Sequence, residues 1–420
     1  MKKQFKFWMI VLPLVLSAGL TSCSDDDFTQ TIFDTTEYPL DRTSYTFPLD
    51  TFLKVSYLEP YNMSFKYRME DIGSDLQKNL VPASYDASVH LAVLSKYLWY
   101  DVYAKYGGER FLKENSPRII HVIGSKSYNP SQGTETLGVA EGGLKITLYN
   151  ANNLPKMLYD PYMNGRELSD VDRIELMNKY FFKTMHHEFG HILDQTHLHP
   201  LSFNTISTGS YNSTGWSDTH DSIAAGRGFV TPYASMNTSE DWVETLANYI
   251  TRDSVSWATL LQSASYEWEE IDYDKSQWED KIKPNCNYDT IGYKKNADNG
   301  EVKIVRRVCK RNGDDTQSVI LDENGKVQWI HNSTIFGDQV IMTKLGLVRE
   351  WMQKYYSINI DDLRREVQLR QFKTNADGTF VKDRWGKFVN RLTSPVDGSS
   401  QTLIEQLLEQ VYKFKELQTK

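Results

Sequence analysis

The run His187-Glu188-Phe189-Gly190-His191 brings together residue types that can do chemistry. Two histidines four apart on a helix point the same way, so their imidazoles can share one metal ion. Glu188 directly follows the first histidine, where a carboxylate can take a proton from metal-bound water. Zinc held in this way lowers the pKa of its water toward neutrality and polarises a carbonyl, the basis of metal-assisted hydrolysis. His186 is not a good ligand, because on a helix it points about 100° away from His187. It reads as a packing residue. His90, His121, His199, His220 and His331 are scattered and read as structural or surface histidines.

Catalytic zinc needs a third protein ligand and an open position for water. Two candidates are present, and they imply different sites. His197 stands six residues after His191, the spacing of the HExxHxxGxxH motif of metzincins. However, Asp194 occupies the position of that motif's helix-breaking glycine, so the helix should continue past Gln195 and carry His197 out of reach. Glu240 is the other candidate, in the first turn of a second helix, which is how gluzincins supply their third ligand. Glu244 lies one turn further along the same face, suited to orient a histidine through its free ring N–H. Glutamates four apart more often mark a solvated helix face.

The elements that must position these residues are legible on either side. Ser169-Asp170-Val171-Asp172 resembles a capping box that opens a long helix through Ile174, Met177, Phe181 and Met185 into the histidine motif. Leu91, Leu94, Leu98 and Val102 recur at helical spacing, and Gly107-Gly108 is expected to end that helix. Arg118 to Ile123 reads as a short apolar strand. Leu144, Ile146 and Leu148 alternate with polar residues, and residues 144–149 are the expected edge strand for a bound peptide. Residues 200–230 read as a long polar loop. The helix carrying Glu240 should be capped by Thr238 or Ser239, with Val243, Ala247 and Ile250 facing the core.

From about residue 276 the texture changes to hairpins, with turn signals at Asn299-Gly300, Asn324-Gly325 and Asp377-Gly378. Helices are expected at roughly 343–356, 361–371 and 401–417. Together these patterns predict an α+β fold, with a zincin-like metallopeptidase domain over 41–275 and a mixed α/β C-terminal subdomain over 276–420. Cys286 and Cys309 flank the Asn299-Gly300 turn almost symmetrically and are expected to form a disulfide in an oxidising compartment.

Residues 1–22 read as a signal peptide: Lys2, Lys3 and Lys6 precede an apolar run from Phe7 to Ala18, too short to span a membrane as a helix. Leu20-Thr21-Ser22-Cys23 resembles a bacterial lipobox, which makes Cys23 the expected lipidation site and 23–40 a flexible tether. The acidic run Ser24-Asp25-Asp26-Asp27 resembles an export signal to the outer face of the outer membrane. A net charge of -8 argues against a nucleic-acid partner.

Two resemblances sharpen this reading. Tyr233, an intervening Asn237, Glu240 and Glu244 resemble the active-site stretch of anthrax lethal factor-type metallopeptidases. That resemblance implies an oxyanion-stabilising hydroxyl at Tyr233, a zinc ligand at Glu240 and a supporting role for Glu244. The lipobox, HEFGHILDQ and GFVTPYASMNTSEDWVE (Gly228 to Glu244) resemble zinc metallopeptidase lipoproteins of Bacteroidetes that sit beside TonB-dependent import systems. The motifs cover about residues 180–250 and the N-terminus. They imply Zn2+, a peptide or protein substrate, a lipid-anchored outer-membrane location and a link to nutrient import. A surface capture lipoprotein with a structural metal site, and a zinc hydrolase of non-peptide amides or esters, stand as alternatives.

Overall fold

The computed structural model describes residues 40–69, 79–129, 134–141, 144–163, 165–272, 290–295, 302–313 and 319–419. Four short strands form the sheet nearest the histidine motif: β1 (Ser64–Lys66), β2 (Ile119–Val122), β3 (Gly138–Glu141) and β4 (Lys145–Leu148). Their spatial order is β1-β2-β4-β3. β1 and β4 run parallel to β2, while β3 is antiparallel to β4, pairing Gly138 with Leu148 and Glu141 with Lys145. Ile120, Val122, Ile146 and Leu148 are fully buried, so the sheet is held by its apolar face. The expected edge strand at 144–149 therefore lies inside the sheet. β3 is the edge, a short strand that begins with a glycine and so carries little apolar alternation.

The first long helical element, α1, runs through Tyr85–Ser95, a π-helical turn Lys96–Tyr100, and Asp101–Asn115, with a break at Gly108. Ser84 caps it, its hydroxyl accepting from the Ala87 N–H. Buried residues on nearly every side, from Leu91 to Trp99, mark it as a central helix. Gly108, at φ 80° and ψ 169°, leaves the helical conformation and interrupts the helix there, as expected, and a second helical stretch follows to Asn115. The second, α2, runs through Asp170–Met177, a π turn Asn178–Phe182, and Lys183–Thr196. Its capping box forms as expected, Ser169 and Asp172 bonding reciprocally.

Helix α3, Thr238–Thr251, packs directly on α2. The contact depends on Gly190, in the middle of the histidine motif. A Cβ there would stand only 3.0 Å from Val243 Cγ1 and 3.2 Å from its Cβ. The cap of α3 is Asn237, whose side-chain oxygen accepts from the Glu240 N–H at 3.0 Å, in place of the expected Thr238 or Ser239. Between α2 and α3 the chain forms short helices at Leu201–Ile206 and Asp221–Gly226, where a loop was expected.

The last third supplies α4 (Gly337–Tyr356), α5 (Ile360–Gln371) and α6 (Leu403–Tyr412). Their apolar faces join the same core as α1, α2 and α3. Trp351 of α4 meets Trp242 of α3 edge-on at 5.2 Å, and the Tyr356 hydroxyl donates to the Leu193 carbonyl of α2. The strands Thr290–Lys295 and Val302–Arg307 pair antiparallel, as the hairpin signal predicts. Cys309 is buried, while Cys286 lies outside the described residues, as do residues 1–39 with Cys23. No helix among the described residues is long and apolar enough to cross a membrane.

Candidate metal centre

Helix α2 presents His187 and His191 one turn apart, with ring centroids 5.0 Å from each other. Helix α3 brings Glu240 to meet them. Its Oε2 lies 3.1 Å from His187 Nε2 and 3.4 Å from His191 Nε2. This oxygen is buried and makes no hydrogen bond of good geometry, although both rings stand at ion-pair distance from it. A buried carboxylate oxygen without such a partner is costly unless a cation meets it. Glu188 adds an oxygen to the same neighbourhood, within 4.8 Å of ligand atoms on both histidines. Two imidazoles and a carboxylate are a donor set that suits zinc.

His187 is fixed from behind. Its Nδ1–H donates to Glu244 Oε1 at 2.8 Å, which leaves Nε2 facing Glu240. Glu244 is only 1 % exposed and is itself satisfied on every side. Lys183 Nζ lies 2.8 Å from Oε1, while the Thr231 hydroxyl (2.6 Å) and Asn248 Nδ2 (3.0 Å) donate to Oε2. Burial alone would raise the Glu244 carboxyl, but the Lys183 charge foremost, with His187, holds it well below the usual range. Burial likewise opposes charge on Glu240, yet its contacts with His187 and then His191 hold it down to about 2. Burial also disfavours a charged His187; its contacts with Glu240 and Glu244 prevail and hold the ring up to about 10.

Tyr233 sits in a single 3-10 turn, Tyr233–Met236, just before α3, with its ring 5.8 Å from that of His187. Burial, followed by the charges of Glu240, Glu188 and Glu244, pushes its hydroxyl far above the ordinary tyrosine value. It therefore remains a hydrogen-bond donor throughout the physiological range. Trp216 braces the ring edge-on at 4.8 Å. Beside Glu188, Gly138 opens the edge strand β3 as a wall of the site: a Cβ there would meet Thr184 Cγ2 at 2.3 Å and lie 3.6 Å from Glu188 Oε1. A cavity of about 460 Å³ adjoins this wall, lined in part by Leu137, Lys183, Thr231 and Arg252.

His197 is not part of this cluster. Helix α2 continues to Thr196, and His197 is exposed at its end, stacked on Tyr355 of α4 at 4.6 Å. Asp194, in place of the motif's glycine, instead pairs with His199 at 2.9 Å. His186 is fully buried, with Nδ1 2.9 Å from the Tyr103 hydroxyl, and burial holds its ring neutral. The sequence reading missed Lys183, Thr231, Asn248 and Trp216. Lys183 could have been noticed as one turn before His187 on the same face; the other three are joined to the site only by tertiary packing.

Two helices that bring a pair of imidazoles and a carboxylate together define a candidate metal centre. The sequence model of a family described as "Putative zinc-binding metallo-peptidase" matches residues 42–361. A solved structure described in the same words, from Bacteroides caccae, is 30% identical, aligned over 80% of this chain and 94% of its own, with a TM-score of 0.49. No curated protein matches. The chain belongs to this zinc-binding metallopeptidase family, and its fold is α+β.

Proposed function

We propose that this chain is a cell-envelope zinc peptidase in which His187, His191 and Glu240 hold the metal and Glu188 is the general base. One observation carries the reading: the buried Glu240 Oε2 stands within 3.4 Å of both Nε2 atoms without a well-formed hydrogen bond. Bound zinc would supply an acidified water and a Lewis acid for the scissile carbonyl. Glu188 takes the proton from the attacking water and returns it to the leaving amine. Tyr233 donates a hydrogen bond to the oxyanion that forms on the carbonyl. Glu244 holds His187 in the tautomer that leaves Nε2 for the metal. The edge strand β3 pairs with the substrate backbone, and its approach to Glu188 at Gly138 supports that placement.

Cleavage-site profiling on a peptide library tests the chemistry. Glu188→Ala should keep its zinc and lose hydrolysis by several orders of magnitude, and cleavage at the wild-type rate would rule the mechanism out. The envelope location rests on the lipobox ending at Cys23 and the acidic residues that follow it, and we extend the proposal to an outer-membrane lipoprotein beside a TonB-dependent importer. Cys23→Ala should release the protein from the membrane fraction. Retention there would remove the anchor from this account.

A further inference from the structure

Helix α4 belongs to the last third of the chain, yet its Lys344 grips two segments around the metal centre, α3 and the stretch that precedes it. The Lys344 ammonium lies 2.6 Å from Asp241 Oδ2 and donates to the Gly228 carbonyl at 2.8 Å. Asp241 is the residue after Glu240 in α3. Gly228 starts the segment that delivers Thr231 to Glu244 and Tyr233 to the rim. The Asp241 and Lys344 side chains are 0 % and 1 % exposed, and the ammonium faces the Phe229 ring at 4.1 Å. The Tyr211 hydroxyl donates to the same Asp241 oxygen at 2.9 Å, while the neighbouring Asn212 N–H donates to the Ser235 carbonyl. Gly228 has φ +84°, and a Cβ there would meet Val340 Cγ1 at 2.3 Å, so α4 presses on that backbone directly.

A buried ion pair is weak evidence for stability, because an apolar pair of similar volume often holds a fold as well or better. An apolar pair cannot fix a carboxylate and a backbone carbonyl at hydrogen-bond distance around one point. We propose that Lys344 is a positioning residue, which sets the first turn of α3, and with it Glu240, against the segment carrying Thr231 and Tyr233. This rests on the reading of His187, His191 and Glu240 as metal ligands. On this account the last third of the chain is a strut for the centre.

Cobalt(II) titrated into the metal-free full chain tests the inference, because its visible spectrum reports ligand geometry. The double variant Lys344→Met/Asp241→Leu keeps the net charge and much of the buried volume, and should melt near the wild-type temperature without metal. It should bind cobalt about tenfold or more weakly, the scale of effect seen for groups that orient ligands, with an altered visible band. Tyr211→Phe removes only the hydroxyl on Asp241 and should shift affinity the same way by less; it decides the matter if the double variant fails to fold. Arg349→Met breaks a different ion pair from the same helix, to Asp361 at 2.9 Å, and with it a bond to Tyr249 at the end of α3 away from Glu240, and should lower the melting temperature without changing cobalt affinity. Unchanged cobalt affinity and spectrum in both Lys344→Met/Asp241→Leu and Tyr211→Phe overturns the strut, as does an equal affinity loss in Arg349→Met. A wild-type protein that binds no cobalt overturns the metal-centre reading itself.

Discussion

The floor and the rim of the centre are built differently. On the floor, Glu244 takes contacts from His187, Lys183, Thr231 and Asn248, and almost none of it reaches solvent. On the rim, His191 is 19 % exposed and makes no hydrogen bond through Nδ1 among the described residues, while Tyr233 and Trp216 are half-buried. A satisfied buried network admits one arrangement, because each broken bond would leave a polar group without water. The half-open rim leaves its groups able to meet a substrate. Under the proposed function, the floor would preset the metal's position and the rim would be left for chemistry.

That division can be broken from either side. On the rim, Tyr233→Phe should lower kcat by about 100-fold or more, the usual effect of removing an oxyanion donor, and leave zinc affinity unchanged. A large loss of zinc in that variant would make Tyr233 part of the floor. On the floor, Glu244→Gln should weaken zinc by about 10–100-fold, the range expected when a histidine loses its orienting carboxylate. Competition with a chelator of known affinity measures it, and wild-type affinity in Glu244→Gln would dissolve the distinction.

The sequence disclosed the parts of the site whose signals are local. The pair His187 and His191 needs only helical periodicity, and Ser169 with Asp172 needs only a cap. Glu240 became visible because it follows a turn and opens a helix, although its true cap, Asn237, lay one residue before the expected ones. What stayed hidden depends on contacts between distant segments. β3 is an edge strand because β4 is already paired with β2 on its other side, a fact no alternation pattern carries. Gly108 reads as a helix stop and does break the helix, but nothing local announced the second helical stretch that follows it to Asn115. The hairpin texture from residue 276 carries no information on packing: Trp351 and Lys344 of α4 are buried against α3 in one core. Apolar burial sums over the whole chain.

The ligand contest between the two helices offers the most direct measurement. Zinc affinity of Glu240→Ala and of His197→Ala should be compared with wild type in the same metal competition. The account predicts that Glu240→Ala loses most of its zinc affinity while His197→Ala binds as wild type does. Strong zinc binding by Glu240→Ala together with its loss in His197→Ala would contradict it.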